Sequence, residues 1–138
     1  MIILDTDVVS ALMQPALNVA VVRWLDQQPR TSIWTTSVTV FEIRYGLGVM
    51  PASKRQIALL QGFEALLDKI GQRIAVFDAG AAAQAAELAA FRKQKGRSGD
   101  LRDTMIAGIA LAHHGTLATR NVRHFEDLRA AVVNPWIE

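Results

Sequence analysis

The chain has 138 residues, of which 51% are hydrophobic and 20% charged, and its formal net charge is +2. This length predicts one globular domain that buries about two-thirds of its unfolded surface, and the composition excludes a disordered chain and a coiled coil. The absence of cysteine excludes a disulfide framework, a thiolate zinc site and a cysteine nucleophile. Without a signal-peptide pattern or a long apolar run, we expect a soluble, cytoplasmic protein with no membrane partner.

Strand and helix patterns alternate along the chain. The apolar residues 2–4 are typical of a short buried strand, and a short helix is expected at residues 8–13, with Asp7 available as its N-cap. Further helices are predicted at residues 19–28, 37–48, 54–70, 79–95 and 100–114, and a helical turn at 123–129. Further strands are predicted at residues 32–36, 73–77, 116–119 and 131–133.

This alternation predicts an α/β fold in which a parallel sheet has helices on both faces. We find no internal repeat, low-complexity segment or interdomain linker, so we expect a single domain over residues 1–138. Right-handed crossovers then bring the carboxyl ends of several strands to one edge of the sheet, where ligand crevices form.

Polar side chains occur at four places near that predicted edge. Asp5 ends the first strand, Glu42 lies one turn into the following long helix, Asp103 lies in the first turn of a later helix, and Asn121 follows the fourth strand. Because the carboxyl ends of parallel strands share one edge, we expect these four side chains to converge.

The first two positions also have structural interpretations. Either Asp5 or Asp7 could cap the first helix. Thr39 and Glu42 have the spacing of a capping box, in which the glutamate bonds back to a backbone N–H. Neither interpretation requires a ligand.

Asp103 could likewise complement a helix dipole, and Asn121 is common in turns. These interpretations leave the convergence of the acids unexplained. Three adjacent carboxylates repel one another, and a hard divalent cation removes that repulsion. Oxygen ligands without cysteine favour Mg²⁺ or Mn²⁺ over zinc, and such an ion can activate water for attack on a phosphodiester.

Basic residues are concentrated in two stretches that could bind the substrate backbone: Arg92, Lys93, Lys95, Arg97 and Arg102, then Arg120 and Arg123. Such clusters suit phosphates, although a solvated helix end has the same composition.

The histidines are expected to play a smaller part. His113 and His114 lie at the end of the helix that begins near Asp103, about 16 Å away at 1.5 Å per residue, so we interpret them as partners of the helix dipole. His124 lies near Asn121 and could contact substrate.

The helix at residues 37–48 is apolar on both faces. Phe41 and Tyr45 lie on one face, and Ile43 and Leu47 lie on the other. A helix of this kind is either buried on all sides or packed against another protein chain.

Four spaced motifs together resemble a known family. They are Leu-Asp-Thr-Asp-Val-Val-Ser at residues 4–10, Thr-Val-Phe-Glu-Ile-Arg-Tyr-Gly at 39–46, Asp-Thr-Met-Ile-Ala at 103–107 and Ala-Thr-Arg-Asn at 118–121. The chain looks like a PIN domain, and more narrowly like the VapC-type ribonuclease toxins of toxin–antitoxin pairs, including the FitB-like branch. Val-Val-Asn-Pro-Trp at 132–136 resembles that branch too.

The resemblance implies a five-stranded parallel sheet and a Mg²⁺- or Mn²⁺-dependent endoribonuclease that cleaves RNA. By position, Asp5, Glu42 and Asp103 match the family's principal acids, the expected metal ligands, and Asn121 belongs to the same site. The resemblance also implies a homodimer and a cognate antitoxin that blocks the active site, with DNA contacted only through the antitoxin.

The chain departs from the family pattern at two positions. The family usually has Asn where this chain has Asp7, and often has a fourth acid where this chain has Asn121. The first departure adds a negative charge to the expected site and the second removes one. Asp100, one turn before Asp103, is a further candidate for the site.

Two other functions remain open at this point. Asp5-Thr6-Asp7 also matches the opening of haloacid-dehalogenase-like phosphatases, with Asp5 as nucleophile, although the only late acidic pair is Glu126–Asp127, in an expected surface turn. Alternatively, the missing acid at residue 121 suits a non-catalytic domain with the same fold that binds a partner or nucleic acid.

Overall fold

The computed structural model describes residues 1–97 and 99–137; the predicted domain end at residue 138 lies outside them. In the described residues the five strands are β1 Ile2–Leu4, β2 Ile33–Thr36, β3 Ile74–Ala75, β4 Thr116–Ala118 and β5 Val132–Val133. The α-helices there are α1 Thr6–Leu12, α2 Val19–Asp26, α3 Ser37–Val49, α4 Lys54–Ile70, α5 Ala79–Gln94 and α6 Leu101–Ala112. None of them is long and apolar enough to cross a membrane.

The strands form one sheet in the order β3-β2-β1-β4-β5, and every neighbouring pair is parallel. The five-stranded parallel sheet predicted from the sequence is therefore confirmed. Because β1 is central and its neighbours β2 and β4 are reached by connections in opposite directions, the crevice of the sheet opens at the carboxyl ends of β1 and β4.

Helices cover both faces of the sheet, as predicted, because successive side chains of a strand point to opposite sides. Leu4 packs into a core with Trp24 and Phe63, which lie on α2 and α4. Ile3 packs into a second core with Ile106 and Ile109 of α6. Neighbouring residues of β1 thus tie both layers to the strand that ends at Asp5.

Helices α5 and α6 pack closely against each other. A Cβ added at Gly108 would lie 2.6 Å from the carbonyl oxygen of Ala81 and 2.7 Å from the Cβ of Ala85. Only glycine permits this approach. The same helix α6 carries Asp103 in its first turn.

Several predicted boundaries were wrong. The third strand was predicted at residues 73–77, but only two residues are assigned to it, since this edge strand has a partner on one side alone. The first helix starts at Thr6 rather than at residue 8. In place of the helical turn predicted at residues 123–129 there is a short 3₁₀ helix, Val122–Phe125.

Candidate active site

Asp5 directly follows β1, and both of its carboxylate oxygens accept hydrogen bonds. Oδ1 accepts the backbone N–H of Thr6 at 2.8 Å, and Oδ2 accepts the hydroxyl of Thr119 at 2.8 Å. The residue is only 3% exposed, and its own N–H donates to the carbonyl oxygen of Ala118 at 2.9 Å. Asp5 therefore joins the ends of the two strands that border the crevice.

Asp5, and not Asp7, is the N-cap of α1, so the predicted capping role of Asp7 was wrong. The strand ends at Leu4 and Asp5 has an extended backbone, which makes it the residue from which the helix starts. Asp7 instead turns toward the loop after β4. Its Oδ2 accepts the backbone N–H of Arg120 at 3.0 Å and the side-chain amide of Asn121 at 3.4 Å.

Glu42 approaches the crevice from α3 and is held by a side chain from α1. The hydroxyl of Thr6 donates to its Oε1 at 2.9 Å and lies 3.0 Å from the hydroxyl of Thr39. The capping-box interpretation of Thr39 and Glu42 was wrong, because α3 begins after Thr36, whose hydroxyl accepts the N–H of Thr39. Glu42 is thus used in the crevice rather than in its own helix end.

Asp103 lies in the first turn of α6, and Asp100 is the N-cap of that helix. The Oδ1 of Asp100 accepts the N–H groups of Arg102 and Asp103. A ring nitrogen of His124 lies 3.5 Å from Oδ2 of Asp103. The C-cap at the opposite end of α6 is His113, as expected for a residue remote from the crevice.

We use the name carboxylate cluster for Asp5, Asp7, Glu42 and Asp103. The pKa of each of these acids is raised. Burial is the first cause in every case, and for Asp5 it combines with repulsion from Asp7 and Asp103 to raise the pKa to about 7. Asp103 also raises the pKa of Asp7 and of Glu42. Asp103 therefore lies close enough to the other three acids to disfavour their charged forms, and the cluster lacks a sufficient positive counter-charge.

The side chain nearest to supplying that charge is Arg102. Its guanidinium lies 3.8 Å from Oε2 of Glu42 and 3.6 Å from Oδ1 of Asp100, and it is about half-exposed. Arg120 is exposed and stacks over the Trp136 ring at 5.1 Å. Arg102 therefore contacts the cluster through its side chain, whereas Arg120 contacts it through its backbone N–H, which donates to Asp7.

Arg92 is different, and the prediction that it holds substrate was wrong. It is buried, and its guanidinium bonds to both carboxylate oxygens of Asp127 at 2.9 Å and to the carbonyl oxygen of His124 at 2.7 Å. Asp127 is accordingly not part of an exposed acidic pair; its side chain is 9% exposed. Arg92 fastens α5 to the segment after β4.

The donor set of the carboxylate cluster fits a hard divalent cation. Its ligand atoms are all carboxylate oxygens, and Oδ1 of Asp7 is shielded from solvent without a hydrogen-bond partner among the described residues. Within residues 1–97 and 99–137, no three His, Cys, Asp or Glu side chains are placed closely enough to hold a metal ion without moving. A cation would draw the carboxylates together against the repulsion that now raises their pKa values.

Sequence reasoning missed two contributors to this site, Thr6 and Thr119, and it named Arg102 only among the basic residues that could bind substrate. The two threonines position the acids through their hydroxyl groups, and Arg102 provides the nearest positive charge. Thr6 and Thr119 lie inside the quoted motifs, one residue after Asp5 and two residues before Asn121, which was the available signal. Their partners are more than 30 residues away along the chain, so spacing alone did not identify them.

A sequence description of the PIN domain matches residues 2–131. The chain belongs to the PIN-domain family. The fold agrees with this assignment, since it is a single α/β PIN domain built on a five-stranded parallel sheet. The family assignment replaces the haloacid-dehalogenase-like alternative.

Similar proteins span essentially the whole of this PIN chain. Plasmid stability protein StbB of Pseudomonas syringae pv. tomato is 37% identical over 137 residues, which cover 99% of both chains. VapC ribonuclease Y4jK of Sinorhizobium fredii is 36% identical, with 99% of this chain and 98% of the relative covered. Toxin FitB of Neisseria gonorrhoeae is 34% identical, with 99% of both chains covered.

A solved structure of FitAcB from Neisseria gonorrhoeae matches this PIN domain with a TM-score of 0.89, 34% identity and complete coverage of both chains. FitAB bound to an IR36 DNA fragment matches equally, with a TM-score of 0.89 and coverage of 100% of this chain and 97% of the other.

Proposed function

We propose that this protein is a metal-dependent endoribonuclease and the toxin component of a toxin–antitoxin pair, with one nuclease domain over residues 1–138. The observation that carries the proposal is the carboxylate cluster, in which one buried and three partly buried acids with raised pKa values lie at the carboxyl edge of a parallel sheet. Such an arrangement is unfavourable without a cation. The relatives named VapC ribonuclease and toxin FitB support the same function.

We assign Asp5, Glu42 and Asp103 as ligands of Mg²⁺ or Mn²⁺. When bound, the metal lowers the pKa of water and stabilises the leaving oxygen during attack on an RNA phosphodiester. Thr119 and the Thr6 N–H orient the two oxygens of Asp5, while the Thr6 hydroxyl orients Glu42. These fixed hydrogen bonds hold the carboxylates in position before substrate arrives.

Asn121 completes the proposed site from the loop after β4. Its backbone N–H donates to the Thr119 hydroxyl at 3.1 Å, and that hydroxyl in turn donates to Asp5. Its side-chain amide contacts Asp7. Asn121 thus acts on the acids through hydrogen bonds and can also hold a substrate or water oxygen.

The RNA backbone is held by exposed basic groups around the crevice. A cavity of about 160 Å³ adjoins His124 and therefore Asp103, and it is lined by Arg92, Arg97, Gly99, Arg123 and His124. Arg97 and Arg123 are exposed and supply the charge toward solvent, since Arg92 is engaged by Asp127. Binding through these groups will weaken as salt concentration rises, because phosphate contacts release counterions.

The apolar surface of α3 and α4 is the proposed binding surface for protein partners, namely a second copy of this chain and the antitoxin. Phe41 and Tyr45 stack on each other with their centroids 6.1 Å apart, yet they are 60% and 58% exposed. Val49 of α3 and Ile57 of α4 are exposed as well. This surface suits the predicted homodimer and an antitoxin that covers the site, and FitAB bound to DNA supports contact with DNA through such a partner.

Free protein is therefore expected to be dimeric or poorly soluble without its antitoxin. Light scattering on the purified chain measures this, and a well-behaved monomer would contradict the interface assignment.

Cleavage of single-stranded RNA by metal-stripped protein tests the enzymatic proposal. We expect no cleavage in EDTA, cleavage on addition of Mg²⁺ or Mn²⁺, and loss of cleavage in Asp5→Asn. Asp68→Asn, an exposed substitution on α4, is the matched control and should cleave like the wild type.

Three results would contradict the proposal. Equal cleavage by wild type and Asp5→Asn would show that the assigned acids do not form the site. Salt-dependent RNA binding without cleavage at any metal concentration would indicate a non-catalytic binding domain. A phosphoenzyme formed from an aryl phosphate would indicate a phosphatase with Asp5 as nucleophile.

A further inference from the structure

The two carboxylate oxygens of Asp7 have unequal surroundings. Oδ2 has three donors: the Arg120 N–H at 3.0 Å, and the Thr119 hydroxyl and Asn121 amide at 3.4 Å. Oδ1 is shielded from solvent and has no partner among the described residues. The Val8 N–H lies near enough to lower the pKa of Asp7, but it already donates to the carbonyl oxygen of Asp5 at 3.1 Å.

The charge of Asp7 has no evident structural purpose. Asp5 already caps α1, so Asp7 is not needed as the cap. The bond from Arg120 needs only one accepting oxygen, which asparagine would also provide. A buried anionic oxygen without a donor destabilises a fold, so a carboxylate at this position requires another explanation.

The position of Asp7 points to the carboxylate cluster. The Thr119 hydroxyl lies 2.8 Å from Oδ2 of Asp5 and 3.4 Å from Oδ2 of Asp7, so one hydroxyl lies between both carboxylates. Among the neighbouring charges that raise the pKa of Asp5, Asp7 acts most strongly. Asp7 is therefore a direct neighbour of the proposed metal ligand Asp5, across the Thr119 hydroxyl.

We infer that Asp7 is a fourth acidic ligand of the divalent cation, and that Asn121 is the positioning residue that orients it. The inference rests on the proposed function, which assigns the cation to Asp5, Glu42 and Asp103. It supplies a fourth carboxylate to a site whose loop after β4 carries an amide at residue 121.

Because Asp7 and Asn121 are in contact, the carboxylate and the amide could exchange positions between the two residues. Their side chains are 3.4 Å apart, so a carboxylate at residue 121 with an amide at residue 7 would place the charge within a few ångströms of its present position. The total charge and the hydrogen bond between the two side chains would both be retained.

Mn²⁺ titration of metal-stripped protein, followed by calorimetry and by the electron paramagnetic resonance of free Mn²⁺, tests the inference. Asp7→Asn should weaken Mn²⁺ binding at least about tenfold, since fewer carboxylates lower the affinity for a hard cation. The exchange variant Asp7→Asn/Asn121→Asp should recover affinity to within about threefold of the wild type. Asn121→Asp alone should bind Mn²⁺ more tightly, and Asp68→Asn should not change.

Thermal unfolding separates metal binding from a structural role. In EDTA, Asp7→Asn should be at least as stable as the wild type, because it removes a repelling buried charge. In Mn²⁺ it should gain less stability than the wild type. An equal loss of stability with and without Mn²⁺ would overturn the inference in favour of a structural role.

Asp5→Asn distinguishes failure of this inference from failure of the proposed function. If Asp5→Asn weakens Mn²⁺ binding and Asp7→Asn does not, the inference is wrong and the metal site stands. If neither changes Mn²⁺ binding, the proposed metal site itself is wrong. If the exchange variant stays as weak as Asp7→Asn, Asn121 does not occupy the position that we infer.

Discussion

The carboxylate cluster and the Arg92–Asp127 pair both bury charge, but with opposite electrostatic results. In the cluster, burial and mutual repulsion raise the pKa of every acid, and for Asp5 to about 7. In the pair, the hydrogen bonds from Arg92 hold the pKa of Asp127 below its usual range. The carboxylate cluster lacks a sufficient positive counter-charge, whereas Asp127 is neutralised by the guanidinium of Arg92.

This difference distinguishes a candidate ligand-binding site, the carboxylate cluster, from a structural ion pair, Arg92–Asp127. Arg92 and Asp127 satisfy each other and connect α5 to the segment after β4, so they have little free charge for a ligand. The cluster keeps several carboxylates at a strand edge where Arg102 and His124 only partly offset their charge, so their pKa values stay raised. Unneutralised buried acids in a crevice are typical of functional sites.

Breaking the Arg92–Asp127 pair should have the largest effect on stability. Asp127→Ala should lower the free energy of unfolding by about 3–5 kcal/mol, because it leaves a buried guanidinium unpaired. Urea denaturation at neutral pH measures this. Asp127 should also lose its stabilising effect below its unfolded pKa, near pH 4, as acid protonates it.

Replacement of both partners by apolar residues, Arg92→Met with Asp127→Leu, is the control for that prediction. The double variant should lose less stability than Asp127→Ala, since no charge remains buried. A larger loss would show that the pair stabilises the fold by more than mutual neutralisation.

The cluster should have the opposite dependence on pH. In EDTA, native Asp5 keeps its proton up to about pH 7, whereas the unfolded chain releases it near 3.8. The unfolded state then binds fewer protons, so stability falls as pH rises from about 4 to 7, by at most roughly 4 kcal/mol for this residue. Asp5→Asn should remove most of that slope in denaturation curves. Parallel profiles for wild type and variant would contradict the raised pKa.

Thr119→Val tests whether the Thr119 hydroxyl stabilises the charged form of the buried Asp5 carboxylate. The substitution removes the hydroxyl that donates to Oδ2 of Asp5 at 2.8 Å, so at neutral pH it should lower the free energy of unfolding by about 1–3 kcal/mol. It should also shift the Asp5-dependent part of the pH profile upward, because the lost bond favours the charged form. Thr116→Val, at the start of β4, serves as control. An unshifted profile would indicate that the hydroxyl does not stabilise the carboxylate.

The smallest effect on stability is expected for Arg97, which lies beside the Arg92–Asp127 pair. Arg97 lies 3.7 Å from Oδ2 of Asp127 and is half-exposed, so Arg97→Gln should change the free energy of unfolding by less than about 1 kcal/mol. The same substitution should weaken RNA binding if Arg97 lines the substrate path, and filter binding at two salt concentrations measures that. A large loss of stability would place Arg97 with Arg92 rather than with the substrate.

Much of the fold was predictable because its signals are local. The helix predicted at residues 54–70 has the same bounds in the structure, since Ser53 caps its first turn and Gly71 ends it with a φ of +65°. Strand ends were less predictable. β3 is much shorter than its apolar pattern, because pairing depends on the partner strand and not on composition alone.

By itself, the sequence determined the parallel α/β architecture, the acids at the sheet edge and the oxygen-only character of the site, because strand and helix patterns and residue types are local properties. Tertiary structure decided which of two neighbouring acids caps α1, which arginine is buried, and that the hydroxyl of Thr119 reaches Asp5 across 114 positions of the chain. These outcomes depend on how distant segments pack. Asp5 and Asp7 therefore differ in role because of their contacts with residues after β4. Asp5 caps α1 and accepts the Thr119 hydroxyl, whereas Asp7 accepts the backbone N–H of Arg120.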